Sequence, residues 1–241
     1  MSRRNGAVNG AEKDSLDPAS DGGQEKQKML LASDTGHFSM IKALHLADLI
    51  TELNGFCGIM SIFSCLRYCL GSPEHHGNLW AALAFMPLGL TFDFMDGKVA
   101  RWRKKSSLMG QELDSLADLI SFGVAPAVTA FAIGLRSPLD HILLTCFVLC
   151  GLSRLARFNV TVAALPKDAT GKSKYFEGTP IPTTLFIAAI MAFWVHRGWI
   201  LEDLPLGVIG KGTWFEIHGA VGLFVTSGCL QVSKSIHIPK P

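Results

Sequence analysis

Four aspartates stand close together in a stretch that is flanked on both sides by long apolar runs. The stretch, residues 93–118, reads DFMDGKVARWRKKSSLMGQELDSLAD and contains Asp93, Asp96, Asp114 and Asp118. Carboxylates at the edge of a bilayer are costly, and those that occur there usually serve a function. Clustered carboxylate oxygens are the ligands that Mg²⁺ and Mn²⁺ prefer, so these residue types indicate a divalent-metal site.

The spacing of these residues places the carboxylates on common helical faces. At 100° per residue, one set in the first half of the stretch falls within about 140° of arc. This set consists of Asp93, Asp96, Gly97, Ala100 and Arg101. Gly110, Asp114 and Asp118 follow at i, i+4 and i+8 and share a second face. Two helices joined by a turn at 102–109 would bring the four carboxylates together.

Four negative charges repel one another in so small a space, and two divalent cations would balance them. Paired metals that bridge a phosphate are a recurrent arrangement for displacement at phosphorus. Gly97 and Gly110 leave room for a nucleotide near the backbone, and Arg101 and Ser107 can hold phosphate oxygens. The alternative is a transporter with an ion or proton pathway. A pathway predicts carboxylates spread across the membrane depth, whereas these four lie near one end.

The composition is that of a polytopic membrane protein of the all-α class. Hydrophobic residues make up 49% of the chain, and the mean hydropathy is +0.31. The net charge of +2 gives no indication of a nucleic-acid partner. A membrane-spanning helix needs about 20 mostly apolar residues. Six spans are therefore predicted, at 49–70, 77–95, 113–134, 138–158, 181–200 and 214–233.

Two segments precede the first predicted span. Residues 1–36 are polar and lack the apolar content to fold, so they are expected to form a disordered cytosolic tail. The membrane domain then covers 37–241. Residues 37–49, HFSMIKALHLADL, have apolar positions at near-helical spacing. They form either a short N-terminal interfacial helix or the beginning of the first span, and both alternatives stay open.

The distribution of lysine and arginine predicts the orientation of the spans. Both residues are abundant after the second and fourth predicted spans and recur at the end of the chain, but they are sparse on the opposite side. The basic side of a membrane protein faces the cytosol. Both termini and the aspartates are therefore predicted to be cytosolic.

The aspartate stretch fits the signature D-x2-D-G-x2-A-R-x8-G-x3-D-x3-D without a gap. The chain thereby resembles the CDP-alcohol phosphatidyltransferase family. LDSLADLISFGVAPA at 113–127 and GLSRLARFNV at 151–160 are similar to the members that use serine as the alcohol. Further stretches between His37 and Pro241 resemble the fungal members of this serine-using group.

This resemblance implies a fold, a location and a reaction. It implies six transmembrane helices in the endoplasmic reticulum membrane, a homodimer, and an active site that opens to the cytosol. The substrates would be CDP-diacylglycerol and L-serine, and the serine hydroxyl would attack the β-phosphate so that CMP leaves. Two ions of Mn²⁺ or Mg²⁺ would serve as cofactors.

The resemblance also implies a role for individual residues. Asp93, Asp96 and Asp114 would hold the first metal, and Asp93, Asp114 and Asp118 the second. Asp118 would also be the catalytic general base. The residues implied to contact CDP-diacylglycerol are Thr51, Asn54, Gly97, Arg101 and Ser107.

The alcohol pocket is predicted at the cytosolic end of the fourth span. Arg154 and Arg157 lie at i and i+3 there, and an arginine fork binds a carboxylate with two parallel hydrogen bonds. We expect one or both to bind the serine carboxylate or the diphosphate, with Phe158 and Asn159 shaping the pocket. The alternatives are arginines that only reach lipid phosphates, and a family member that uses inositol or glycerol phosphate.

Overall fold

The computed structural model describes residues 46–71, 76–103, 108–164, 175–233 and 237–239, and this part of the chain is mostly helical. The remaining segments, which include the predicted tail, most of the predicted interfacial helix and Ser107, lie outside the described residues. The α-helices in chain order are α1 (Leu46–Leu70), α2 (Gly77–Arg103), α3 (Leu108–Asp118), α4 (Ala125–Ile133), α5 (Pro138–Ala164), α6 (Leu185–Arg197) and α7 (Gly222–Val232).

Shorter elements complete the described chain. A π-helical turn joins α3 to α4, and three 3-10 turns precede or follow the last helices. Two small antiparallel sheets pair β1 (Tyr175–Glu177) with β4 (His237–Pro239), in the register Phe176 to Ile238, and β2 (Val208–Ile209) with β3 (Ile217–His218), in the register Val208 to His218. The π-helical turn covers Leu119–Val124, and the 3-10 turns cover Ile181–Thr184, Leu201–Asp203 and Gly219–Val221.

Within the described residues, four helical stretches are long and apolar enough to cross a membrane, and they coincide with the first four predicted spans. They are Leu46–Leu70, Gly77–Trp102, Met109–Ile133 and Pro138–Val160. The last two predicted spans correspond to shorter apolar helices, Ile181–Arg197 and Gly219–Val232. The multi-pass membrane class is thus supported, whereas the length of six full spans is not confirmed.

Helix α1 shows why the fold suits lipid. Its outward face carries Leu53, Phe56 and Phe63, each between 44% and 56% exposed. Its buried face carries small and polar residues such as Gly58 and Ser61. This arrangement is the reverse of a water-soluble helix, because lipid accepts large apolar side chains while small residues let helix backbones approach closely.

Helix α1 approaches the π-helical turn closely. A Cβ added to Gly58 would lie 2.6 Å from Ser121 Oγ and 2.9 Å from Ser121 Cα. The Ser121 hydroxyl donates to the Asn54 carbonyl oxygen at 2.8 Å. The two segments are therefore fixed in register directly beside Asp118, the last residue of α3.

The π-helical turn follows from a proline. Pro126 has no N–H to donate to the carbonyl oxygen of Phe122, its i−4 partner. That oxygen accepts a hydrogen bond of 2.7 Å from the Thr184 hydroxyl instead, and the Ala125 N–H donates to Ile120 O, five residues back. The freed backbone group is thus satisfied inside the protein, as a membrane interior requires.

We predict that Gly58→Ala destabilises the protein. The added methyl group would contact backbone and a buried hydroxyl, and overpacking of this kind costs about 1–3 kcal/mol. The thermal unfolding midpoint in detergent should fall. Gly222→Ala is the matched control, since a Cβ there meets nothing within 4 Å. Equal midpoints for the two variants would show that the helix approach is looser than described.

The chain runs up and down, so the helix ends form two groups. The first half of α1, the second half of α2, α3 and the last part of α5 meet at the end that carries the aspartates. At the opposite end, the carboxylate of Asp140 accepts from the Ser137 and His218 backbone N–H groups, each at 3.1 Å, and pairs with the His218 ring. This buried contact ties the segment before α7 to the start of α5.

Candidate active site

Three of the four predicted aspartates form a tight group. One carboxylate oxygen each from Asp93, Asp114 and Asp118 lies within 4.8 Å of the other two. Asp93 comes from α2, whereas Asp114 and Asp118 lie one turn apart on α3. The prediction that two helices bring carboxylates together is therefore confirmed for these three residues.

The fourth aspartate is held separately. Asp96 is buried, and its carboxylate accepts a hydrogen bond of 2.5 Å from the Thr51 hydroxyl. It lies outside the group of three, although one turn of α2 separates it from Asp93. A helical face predicts this neighbourhood, but it does not predict that a threonine of α1 binds the carboxylate.

Asn54 contacts a second aspartate from the same face of α1. Its Nδ2 donates to Asp118 Oδ1 at 3.0 Å, and the side chain is fully buried. The Asn54 Oδ1 lies 2.9 Å from the place a Cβ on Gly89 would take. The amide is therefore packed between α2 and Asp118, and its Oδ1 has no hydrogen-bond partner among the described residues.

The residues of the three-carboxylate group fit a divalent cation. Asp114 Oδ1 is buried and has no hydrogen-bond partner among the described residues. A buried carboxylate oxygen without a partner is costly, and a cation would satisfy it. The donors are oxygens only, which suits Mg²⁺ or Mn²⁺ better than zinc or copper.

Gly97 and Arg101 lie on α2 beside this group. A Cβ on Gly97 would be 3.8 Å from both terminal nitrogens of Arg101, so the guanidinium folds over the glycine. Arg101 is exposed and Gly97 is half-buried. A basic fork above an uncovered backbone is suited to a phosphate that approaches from the aqueous side.

The predicted alcohol pocket lies on the other side of α3. Arg154 on α5 is 9% exposed, and its Nε has no hydrogen-bond partner among the described residues. The guanidinium is near enough to Asp118 for the two charges to interact, and it lies 6.0 Å from the centre of the Phe158 ring. A buried donor without a partner beside the aspartates suits an anionic ligand.

Asn159 connects α5 to α3 at the same end. Its Oδ1 accepts from Ser115 Oγ at 3.1 Å, and its Nδ2 donates to Glu112 Oε2 at 3.2 Å. Phe158 is 39% exposed. Both side chains thus lie at the predicted pocket. Both the oxygen and the nitrogen of the Asn159 amide form hydrogen bonds to residues of α3.

Sequence reasoning missed the residues that support the site from behind. Ser121, Gly58 and Gly89 make the contacts that hold Asn54 and the π-helical turn in place. Glycines within an apolar helix indicate close approach in general. They do not indicate which helix approaches. Pro126 is the signal from which the irregular backbone at Leu119–Val124 could have been predicted.

The chain is similar to known proteins over most of its length. The family model described as CDP-alcohol phosphatidyltransferase matches residues 44–223. A relative from Saccharomyces cerevisiae named CDP-diacylglycerol–serine O-phosphatidyltransferase is 57% identical over 210 residues, which cover 87% of this chain and 75% of that protein.

More distant relatives match over shorter regions. A protein of the same name from Bacillus subtilis is 36% identical, over 60% of this chain and 73% of its own length. Archaetidylserine synthase from Methanothermobacter thermautotrophicus is 39% identical, over 57% of this chain and 53% of its own length. The family model covers well over half of the sequence, including every aspartate of the site. The chain belongs to the CDP-alcohol phosphatidyltransferase family.

Proposed function

We propose that this protein transfers the phosphatidyl group of CDP-diacylglycerol to L-serine. The serine hydroxyl oxygen forms a bond to the β-phosphorus, the bond from that phosphorus to the CMP oxygen breaks, and CMP leaves. The observation that carries this proposal is the group of three carboxylates, with the guanidinium of Arg154 near Asp118. The proposal is further supported by the 57% identity with a relative whose name states this reaction.

The residues that would hold the metals are Asp93, Asp114 and Asp118, with Asp96 completing the first of two sites. Divalent ions there would neutralise the diphosphate and make CMP a better leaving group. Thr51 orients the Asp96 carboxylate and Asn54 orients that of Asp118. Whether Mn²⁺ or Mg²⁺ is bound does not alter these assignments, because both prefer oxygen ligands.

Asp118 has a second proposed role, as the general base. A serine hydroxyl is a poor nucleophile until its proton is taken up in the transition state. A carboxylate that also binds a metal is a weak base, so its usefulness comes from its position beside the alcohol. Gly97, Arg101 and Ser107 are proposed to bind the phosphates of the CDP-lipid.

We assign the serine carboxylate to Arg154, with Arg157 and Phe158 beside it. Arg154→Ala should raise the KM for serine by roughly 10- to 100-fold, the value of a hydrogen bond to a charged group. The KM for CDP-diacylglycerol should change little. Arg154→Lys should recover part of the loss, because it retains the charge but not the fork.

Steady-state CMP release at varied serine concentration tests this assignment. Arg197→Ala, at the opposite end of the molecule, is the control for a lost arginine and should resemble the wild type. A rise in the KM for CDP-diacylglycerol in place of that for serine would move Arg154 to the diphosphate. An unchanged pair of KM values would leave it with a lipid-anchoring role only.

We further propose that the membrane domain, 37–241, crosses the bilayer six times with α6 and α7 as the last two crossings. Both termini and the aspartate end would face the cytosol, which the excess of lysine and arginine on that side supports. The homodimer and the endoplasmic reticulum location are proposals that rest on family resemblance, whereas the cytosolic tail 1–36 is a proposal that rests on its polar composition and on the distribution of lysine and arginine.

A substrate panel tests the proposed function. The purified full chain in detergent receives CDP-diacylglycerol and Mn²⁺ with serine, inositol or glycerol 3-phosphate, and CMP is quantified. We expect release with serine alone, and its loss when EDTA is added. Release with inositol or glycerol 3-phosphate would keep the family but overturn the proposed alcohol. An absence of release with all three alcohols from folded protein would overturn the proposed activity.

A further inference from the structure

The segment between α6 and α7 exposes an unusual amount of apolar surface. Trp214 is 90% exposed, Phe215 76%, Leu206 70% and Ile209 65%. All four lie at the end opposite the aspartates and outside the helices. A cluster of large apolar side chains on the surface marks an interaction site rather than a by-product of folding.

The backbone of this segment is fixed, so the exposure is imposed by the fold. Strands β2 and β3 pair within it, and the Gly219 N–H donates to Gly207 O at 3.0 Å. The Gly212 N–H donates to Glu216 Oε2 at 2.9 Å. His218 is bound to the buried Asp140 through both its backbone and its ring. These contacts hold the hairpin against α5 while its apolar side chains point outward.

The backbone at Leu206 is strained. Its φ is +69°, in the left-handed region that leucine rarely adopts. A Cβ on Gly219 would lie 2.7 Å from the Leu206 carbonyl oxygen, so Gly219 is the residue that permits this conformation. Backbone strain that the surroundings enforce is typical of functional positions. Here it accompanies an exposed leucine side chain.

The two helices on either side of the hairpin are short for a bilayer. At 1.5 Å per residue, Ile181–Arg197 and Gly219–Val232 extend about 25 Å and about 21 Å. The hydrocarbon core is about 30 Å thick. If both helices cross it, the hairpin must begin at the depth of the lipid and not in water.

Exposed aromatic side chains also lie at the end of α6 from which this segment begins. Phe193 is 52% exposed on that helix, and its ring packs edge-to-face against Trp199 with centres 5.8 Å apart. Trp199 in turn lies under the Arg197 guanidinium at 5.3 Å. Aromatic and arginine side chains in this combination are typical of the membrane–water boundary.

We propose that residues 206–215 form a membrane-interface anchor. The hairpin lies at the headgroup boundary of the leaflet opposite the aspartates, with Trp214 and Phe215 at the edge of the acyl chains. Glu202 and Lys211, which are exposed and 3.8 Å apart, stay in water. The anchor would cover the part of the hydrocarbon thickness that the two short helices do not span. This proposal rests on the proposed six-crossing topology.

Tryptophan fluorescence of the full chain in phosphatidylcholine vesicles tests the anchor. The emission of Trp214 is obtained as the difference between the wild type and Trp214→Phe. We expect this difference to be blue-shifted, quenched by lipid brominated on the acyl chain, and protected from aqueous iodide. Trp102→Phe gives the matching difference for a tryptophan at the end of a spanning helix.

Two other results would overturn the anchor. Quenching by iodide without quenching by brominated lipid would place Trp214 in water. Protection from both quenchers would place it against protein, as in contact with a second copy. CMP release in the same vesicles is measured in parallel, because Trp214→Phe should not change it. A failure of the proposed activity is thereby distinguished from a failure of the anchor.

Discussion

Asp118→Asn is expected to reduce CMP release by about 10²- to 10⁴-fold, the contribution of a positioned general base. Asparagine keeps the size of the side chain and the contact with α1, but it cannot accept the serine proton or supply a negative oxygen to a cation. The KM for serine should change far less than kcat, since Asp118 is not assigned to the serine carboxylate. Steady-state kinetics with serine and Mn²⁺ both varied would measure these effects.

The control for this substitution is Asp203→Asn, which changes an exposed aspartate in the 3-10 turn at the other end of the molecule. It should retain wild-type kinetics. Thermal unfolding of both variants shows whether the site or the fold was lost. A folded Asp118→Asn protein with nearly full turnover would remove this residue from the chemistry. The remaining carboxylates would then have to provide both the base and the metal ligands.

Asn54→Leu is expected to lower kcat by about 10- to 100-fold, the usual cost of losing a partner behind a metal ligand. Leucine has the same number of side-chain heavy atoms and the same branch point at Cγ, but it removes the Nδ2 donor to Asp118 Oδ1. The concentration of Mn²⁺ for half-maximal activity should rise, because the carboxylate is no longer held in place. The KM for CDP-diacylglycerol should stay close to that of the wild type.

This pattern separates two roles for Asn54. Family resemblance assigns it to the cytidine diphosphate, and loss of that contact would raise the KM for CDP-diacylglycerol with a smaller change in Mn²⁺ dependence. The buried position between Gly89 and Asp118 favours the positioning role. Ser64→Ala is the matched control on α1, because within the described part of the chain the Ser64 hydroxyl donates only to the Met60 carbonyl one turn back. Its metal dependence should equal that of the wild type.

Helical periodicity was sufficient to predict the local part of the site. Asp114 and Asp118 are four residues apart, and that spacing alone places them on one face of α3. The prediction that Asp93 joins these two residues required only that a second helix precede α3 and be joined to it by a short turn. Such contacts depend on distances along the chain that the period of 3.6 residues determines.

The contacts that hold the carboxylates could not be predicted in this way. Thr51 and Asp96 are 45 residues apart, and Asn54 and Asp118 are 64 apart. Their pairing depends on how α1 packs against α2 and α3, which small residues such as Gly58 allow but do not specify. Resemblance to the family identified Thr51 and Asn54 as site residues, while the structure shows what their side chains contact.

The last two predicted spans were too long for a physical reason. The predicted spans 181–200 and 214–233 include Trp199 and Trp214, whereas the structure places both residues in the segment between α6 and α7. Gly198, at φ +72°, ends α6 in the left-handed conformation that glycine adopts readily. Apolar composition therefore did not distinguish these helices from the apolar residues of the hairpin between them.

Mn²⁺ binding shows directly whether the aspartate group holds the cations through which it is proposed to act. Electron paramagnetic resonance quantifies free Mn²⁺ in the presence of the purified full chain and CDP-diacylglycerol. We expect two ions to be bound per chain in the wild type and in Asp203→Asn, and weakened binding in Asp114→Asn. Binding that is absent from the folded wild type, or unaffected by loss of Asp114, would contradict it.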